Sequence, residues 1–551
     1  MANINDFDVE LQTVLNNLFS NIPKINWKNW FSISTKEEYE NFALGSSGLS
    51  SVEDIFQRIK EEKTDPKQFS INVNSFLKKY SKKKPVIFCH TSGTSSGDLS
   101  NLKWYHLSNQ LIENVWAPGM QAIFESSGLD SKKSGVIFVP SRIKHDGLNT
   151  IDNKQLISLY SAEFSQRLML SLIRPDSYLL DQYKNSNNLE IIAKILSMEE
   201  IAIISAPALT ILKWADLFRF RQGLEKSLNI TPNEEFSELT ALFKLIERSG
   251  LEKASLQIQN RLSEKLSKAT IVFSISSLSP VEWALIRNFM NWKKGEEKFT
   301  NLYVASETGP FSASINEDSS NGGTETDMYL FPLTIPVIKC NGNFELISRT
   351  KNKIGKLYVS RVGDSGYYIN IDTGDVITIK FQDGLPKISD EILRADFQFR
   401  MPIKLSPKID VKKNYEIRVG SYFKTNGIEI INPGRFLKCL GKKISNDIES
   451  SMLTEIKNNV LVWKISAIGS TTIKVISQKK LLDSVSGCPH GDEILKNIKN
   501  KKLRIEFIDF NPIEMKHSKS EIIQKIRAGI LPKGALKRWP LYFVKLVNSS
   551  E

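Results

Sequence analysis

Apolar and polar positions follow two periods along this chain, and each period predicts its own kind of element. Phe7, Leu11, Leu15 and Leu18 recur every three to four residues, which gathers them on one face of a helix, so the N-terminal segment is expected to be a helix packed on the main body. Pro85 to Cys89 and Val136 to Val139 are unbroken apolar runs, the second closed by Pro140, and both read as buried strands. A helical pattern is expected from near Leu107. Helical and apolar-strand segments then alternate as far as Val304, which argues for stacked α/β layers. The run from Ile315 to Asp327, rich in Ser, Asn, Gly and acids, reads as a surface loop. Leu503, Ile505 and Phe507 alternate with polar residues, as a half-buried strand does.

Composition adds scale. With 551 residues the chain exceeds one ordinary core and should divide into at least two domains. A 41% hydrophobic and 25% charged composition is that of a soluble globular protein. The apolar stretch Ile201 to Leu212 is interrupted by Ser205 and Pro207 and is too short to cross a bilayer. Asp6, Asp8 and Glu10 stand where a signal peptide needs positive charge, so a cytoplasmic protein is expected. Cys89, Cys340, Cys439 and Cys488 are scattered, and reduced thiols are the default. Cys488-Pro489-His490 offers two metal ligands with no second pair nearby, so a zinc site is not expected.

Charge is distributed unevenly. Residues 421–551 hold 23 Lys and Arg against 12 Asp and Glu, whereas residues 1–420 hold 51 against 49, so nearly all of the net +13 lies in the last quarter. That shift predicts a large domain over 1–420 and a small basic domain over 421–551. A basic lid over a neutral body would meet phosphates with favourable potential, although a solvated basic surface explains most of these lysines equally well. No zinc-finger, basic-zipper or RNA-recognition signature accompanies the charge, so nucleic acid is not expected as a partner.

The stretch with most chemistry is Thr91-Ser92-Gly93-Thr94-Ser95-Ser96-Gly97, set between the first apolar strand and the helical pattern near Leu107. Two glycines relax the backbone, while five hydroxyls and a row of peptide N–H groups suit the oxygens of a polyphosphate such as that of ATP. Taken alone, the same composition reads as a solvated linker.

Further segments answer it in order. The loop with Lys103, then Ser274-Ile275-Ser276-Ser277-Leu278-Ser279-Pro280, Tyr303-Val304-Ala305-Ser306-Glu307, Thr373-Gly374-Asp375, and finally Arg418 with Lys424-Thr425-Asn426-Gly427 resemble the successive motifs of the adenylate-forming superfamily. About 90 residues precede the phosphate loop, and this short N-terminus looks like phenylacetate–CoA ligases. Phe31 to Glu38 and Ser306-Glu307-Thr308-Gly309-Pro310 resemble segments of those ligases as well. The paired Ser95 and Ser96 are closer to the acyl-acid amido synthetases, and the branch stays open.

The resemblance implies a large N-terminal adenylate-forming domain of mixed-sheet α/β layers with a small mobile α+β C-terminal lid. It implies ATP-dependent activation of a carboxylic acid, with magnesium and, as the leading acceptor, coenzyme A. In that reading Thr91, Ser92, Gly93, Thr94, Ser95, Ser96, Gly97, Lys103 and Ser306 contact phosphate. Ser276 lines the adenine turn, Tyr303 stacks on adenine, Asp375 takes the ribose hydroxyls, and Arg418 assists from the domain junction. Glu307 is the metal ligand, His145 lines the acyl pocket, Gly427 lines the acceptor tunnel, and Lys519 is the catalytic lysine, with Lys516 and Lys533 as rivals.

Three departures stand against the pattern. Val304 replaces a glycine, Lys103 comes late and lacks its preceding proline, and Gly420 stands where the family has a hinge aspartate. They keep two alternatives open: transfer of the acyl group to an amine, and a nucleotide-binding relative that has lost catalysis.

Overall fold

A computed structural model describes residues 6–22, 72–80, 84–90, 102–107, 112–117, 133–140, 146–228, 236–274, 280–293, 296–305, 309–314, 327–330, 334–340, 343–346, 353–363, 366–382, 385–388, 393–394, 397–398, 415–419, 422–425, 428–431, 433–444, 448–458, 460–467, 476–486, 491–510 and 542–546, with isolated positions 109, 120, 121, 142, 143, 488, 524 and 528. The expected surface loop over 315–327 lies, but for Asp327, outside these residues.

The N-terminal helix α1 (Asp6–Leu18) buries Leu11 and Leu15 completely, as its period requires. After α2 (Val73–Lys79) the chain forms β1 (Val86–His90), β2 (Trp104–Leu107), β3 (Ser134–Val139), β4 (Gly147–Ile151), β5 (Lys154–Tyr160) and α3 (Ser161–Ile173). Strands β2, β1, β5 and β4 make a four-stranded sheet in that order. The helix expected from Leu107 is preceded instead by β2, whose side chains alternate between half-buried and buried from Trp104 to Leu107. The reason is local: Trp104 and Tyr105 are strand-prone aromatics, and the alternation has period two. Helical turns follow only from Ile112 to Trp116, in a π-helical segment.

The centre is one large sheet. Its first part carries β6 (Tyr178–Gln182), β3, β7 (Ile201–Ser205), β8 (Thr270–Ser274) and β9 (Phe299–Ala305), all parallel to their neighbours. Between these strands run α4 (Leu189–Ser197), α5 (Ala208–Ala215), α6 (Leu217–Ser227), α7 (Ser237–Leu266) and α8 (Pro280–Met290). Val136 and Phe138 face the core shared with α4 to α8, while Ile137 and Val139 face the one shared with α1 and α3. A sheet covered on both faces explains why β3 and β7 read as unbroken apolar runs.

The sheet continues antiparallel through β10 (Gly309–Ala313), β11 (Met328–Leu330), β12 (Thr334–Cys340), β13 (Asn343–Leu346), β14 (Lys353–Gly363), β15 (Gly366–Gln382) and β16 (Leu385–Ile388), with β17 (Leu393–Arg394) pairing on β15. The spatial order from β9 is β10, β11, β16, β15, β14, β12, β13. Tyr303, Met328, Leu357, Val359, Ile377 and Ile388 are among the residues of its own buried cluster.

A separate six-stranded sheet gathers β18 (Phe397–Gln398), β19 (Tyr415–Val419), β22 (Ile448–Lys457), β23 (Val460–Ala467), β24 (Leu503–Ile508) and β25 (Tyr542–Leu546), while β20 (Tyr422–Thr425) and β21 (Ile428–Ile431) form a hairpin. With α9 (Pro433–Ile444), α10 (Gln478–Ser486) and α11 (Gly491–Lys499) it has a core around Phe436, Leu440, Trp463 and Ile465. The fold is thus mixed α/β, with an α+β C-terminal part. The chain passes from the large sheet to the small one between Arg394 and Phe397, ahead of the charge shift at 421.

Candidate active site

Four of the expected motif segments start at the carboxyl ends of parallel strands. Residues 91–97 follow His90 at the end of β1, residues 141–147 follow β3, residues 275–279 follow Ser274 at the end of β8, and residues 306–307 follow Ala305 at the end of β9. The register pairs Ser274 of β8 with Leu302 of β9, so two of these ends are direct neighbours. In open α/β sheets such carboxyl ends bound the crevice where ligands bind, because the loops there are free to diverge while the strands stay rigid.

Most of the loop residues themselves, Thr91, Ser92, Gly93, Thr94, Ser95, Ser96, Gly97, His145, Ser276, Ser306, Glu307, Gly427 and Lys519, lie outside the described residues. What anchors them is described. His90 pairs with Trp104 across β1 and β2, so the chain leaves at the phosphate-loop stretch and returns, through half-buried Lys103, at the same point of the sheet edge. The order is strand, loop, strand, not strand, loop, helix. Thr425 pairs with Ile428, so Asn426 and Gly427 link β20 and β21, and Asn-Gly is a strong signal for a two-residue hairpin. Arg418 occupies β19, its backbone opposite Phe543.

Two buried polar pairs flank the crevice. His90 Nε2 lies 2.5 Å from Asp146 Oδ1, with both side chains almost fully buried, and the Ile143 amide donates to Asp146 Oδ2 at 3.1 Å. A histidine on an apolar strand requires a polar partner, since burying it unpaired is costly. Asp146 supplies one and thereby ties the 141–147 segment to the root of the phosphate-loop stretch. The other end of that segment is held by Arg142, whose Nη2 donates to Glu163 Oε1 at 2.6 Å. Glu163, fully buried, also accepts from Arg167 Nε at 2.8 Å. Gln12 Nε2 donates to the Arg167 carbonyl at 3.1 Å and locks α1 onto the same network.

The second pair joins two residues singled out in the sequence. The Tyr303 hydroxyl donates to Asp375 Oδ2, although 72 positions separate them along the chain. Tyr303 is 3% exposed and Asp375 2%. Thr373-Gly374-Asp375 is not a turn. It lies within β15, with Asp375 opposite Arg394 of β17, and its Thr373 hydroxyl donates to the Leu357 carbonyl at 2.9 Å. The Tyr303 ring packs in the antiparallel core and acts on Asp375 through its hydroxyl, so a role as an adenine platform requires a ring face that this arrangement covers. Nearby, Lys356 Nζ meets Asp372 Oδ2 at 2.5 Å. Burial alone would lower the lysine pKa, but the hydrogen bond and charge of Asp372 outweigh it and raise the value above 10.5.

Gly309, which closes the turn after Glu307, has φ +75 and lies against the Trp116 indole so closely that a Cβ would overlap the ring. This contact couples the β9–β10 junction to the π-helical segment. Sequence reading missed it together with the His90–Asp146 pair. The one available signal was position, since His90 immediately precedes Thr91.

No family model matches the chain, and no curated protein matches it. Among solved structures it is similar to an open conformation of 2-hydroxyisobutyryl-CoA ligase in complex with 2-HIB-AMP and CoA, with a TM-score of 0.45, 9% identity, and coverage of 93% of this chain and 88% of that one. Apo MatB from Rhodopseudomonas palustris gives 0.40 at 12% identity, covering 81% of this chain and 68% of its own. The amide bond synthetase McbA from Marinactinospora thermotolerans gives 0.34 at 12%, covering 75% and 64%. These similar structures are adenylate-forming enzymes.

Proposed function

We propose that this chain is an adenylate-forming enzyme that activates a carboxylic acid with ATP and passes the acyl group to a thiol, coenzyme A being the leading acceptor. The observation that carries the reading is convergence. Motif segments that are scattered along the sequence emerge from the carboxyl ends of neighbouring parallel strands, and the Asp375 carboxylate is held by Tyr303 in the adjoining half of the sheet.

In the first half-reaction a carboxylate oxygen of the acid attacks the α-phosphorus of ATP. The bond to the bridging oxygen breaks, and pyrophosphate leaves with the electron pair. Charge develops on the transferring group and on the leaving group, so positioned donors are the main requirement. The hydroxyls and amides of residues 91–97 would supply them, with Lys103 at the loop's return and Ser306 beside it. An ionised carboxylate has about four acceptor sites, of which Tyr303 takes one, so Asp375 is suited to two adjacent ribose hydroxyls. Arg418 would assist from β19, Ser276 would line the adenine turn, and His145, on the segment fixed by Asp146 and Arg142, would line the acid pocket. Magnesium, with Glu307 as its ligand, would neutralise phosphate charge. No group of three metal-ligating side chains occurs among the described residues, and no step is routed through the ion. In the second half-reaction Gly427 would border the acceptor path, with the C-terminal part reorienting about residues 418–422. Lys519 would serve the first half-reaction alone.

Pyrophosphate exchange with a panel of acids tests the proposal, and exchange with none of them would sink it. Trapping the adenylate with a thiol or an amine then decides the acceptor. The amine reading draws on Ser95 and Ser96, and the non-catalytic one on Val304, Lys103 and Gly420. ATP binding without exchange would favour the latter.

A further inference from the structure

We infer a second, anion-binding site, remote in sequence from the adenylation motifs, in a cavity of about 580 Å³ walled by α5, α6 and the segment leading into α4. Its size falls within the roughly 300–1,000 Å³ of small-molecule sites. Lys213, Arg219 and Lys226 line it together with Asn187, Gln222 and Gly223, and none of its lining residues is acidic. Arg219 is partly neutralised by Asp216 at 3.5 Å, whereas among the described residues Lys213 and Lys226 have no ion-pair partner. Two uncompensated ammonium groups facing one concavity focus positive potential there and favour a dianion over a monoanion.

The wall is built rather than incidental. Gly223 lies inside α6, where glycine costs about 1 kcal/mol relative to alanine. A Cβ there would come within 2.5 Å of Asn187 Cβ, so the glycine is what lets the helix lie against Asn187. That segment is fixed from behind: the Trp214 indole donates to the Ser186 carbonyl at 2.9 Å, and the Gln259 amide donates to the Trp214 carbonyl at 2.6 Å. The Asn187 Oδ1 acceptor is buried and finds no donor among the described residues. A ligand that carries a phosphate for the lysines and a hydroxyl for this amide matches the lining. The class is a phosphate monoester of a polyhydroxy compound, free in solution or as a lipid headgroup.

Titration calorimetry of the full chain with glucose 6-phosphate tests this. Binding should fall at least tenfold in Lys213→Gln/Lys226→Gln with an unchanged melting temperature, persist in the double arginine variant, and be unaffected by Thr94→Val/Ser95→Ala. Gln222→Glu, which adds a carboxylate to the wall, should weaken it as well. Sedimentation with phosphatidylcholine vesicles, with and without phosphatidic acid, separates the two sources. Retention only on phosphatidic acid, lost in the glutamine variant, assigns the site to a headgroup. Equal binding by the parent and the glutamine variant, or binding of neither probe, overturns the inference.

Discussion

The two halves of the large sheet are held together differently. In the parallel half, β3 and β7 are buried along their whole length, and their polar members, Ser134 and Ser205, sit at strand ends. In the antiparallel half, polar groups enter the core itself: Ser312, Ser360, Asn370, Asp375 and Lys387 are 0–2% exposed. An apolar strand needs only to be covered, and its stability is spread over many equivalent contacts. A buried carboxylate needs specific donors, and its stability rests on a few of them. The halves meet at the β9–β10 turn, where strand direction reverses and Gly309 rests on Trp116.

The largest effect is expected in the apolar half. Phe138→Ala should cost about 3–5 kcal/mol in urea unfolding and lower ATP and acid binding together, because it empties a fully buried site between α5 and the sheet. If unfolding were unchanged while ATP binding fell, the parallel half would not be the passive scaffold described.

At the junction, Gly309→Ala combines positive φ with overlap on the indole, and strain of this kind costs on the order of 1–3 kcal/mol. Pyrophosphate exchange should drop more than stability does, since residues 306–308 are displaced at their anchor. Trp116→Ala in the same chain should recover part of the activity by making room. Recovery of none would show that the strain is in φ alone.

In the polar half, Asp375→Ala removes the acceptor of the Tyr303 hydroxyl, a buried loss of about 1–3 kcal/mol. The ATP requirement should rise steeply while affinity for the acid is kept. Tyr303→Phe should show the same selectivity at smaller amplitude. Equal loss of both ligands would make the pair structural.

The smallest effect is in pH dependence. The folded pKa of Lys356 is raised, so its pairing with Asp372 stabilises fully below the unfolded value near 10.5 and is lost as pH climbs through the folded value. Thermal melts should therefore be flat in this contribution at neutral pH, with Asp372→Asn removing a component visible only in alkali. Both groups are about one third exposed, and salt should weaken the effect.

Local period determined a good deal in advance. The helix through Leu11 and Leu15, the strands at Val136–Val139 and Leu503–Ile508, and the strand ahead of Thr91 were readable because each buries a face set by neighbours within a few residues. The order of the motif segments was equally readable, and with it the class of chemistry to look for. Other features depended on distance. Trp104–Leu107 is too short for its alternation to outweigh the helical pattern beyond it, and its partner strand fixed it. Thr373-Gly374-Asp375 has the composition of a turn, yet pairing with β14 and β17 holds it extended. His90 finds Asp146, and Tyr303 finds Asp375, across 56 and 72 positions. A sequence states which buried groups need partners. Only the packed chain decides which partner arrives, because that choice is made by strand order and register and not by any local preference.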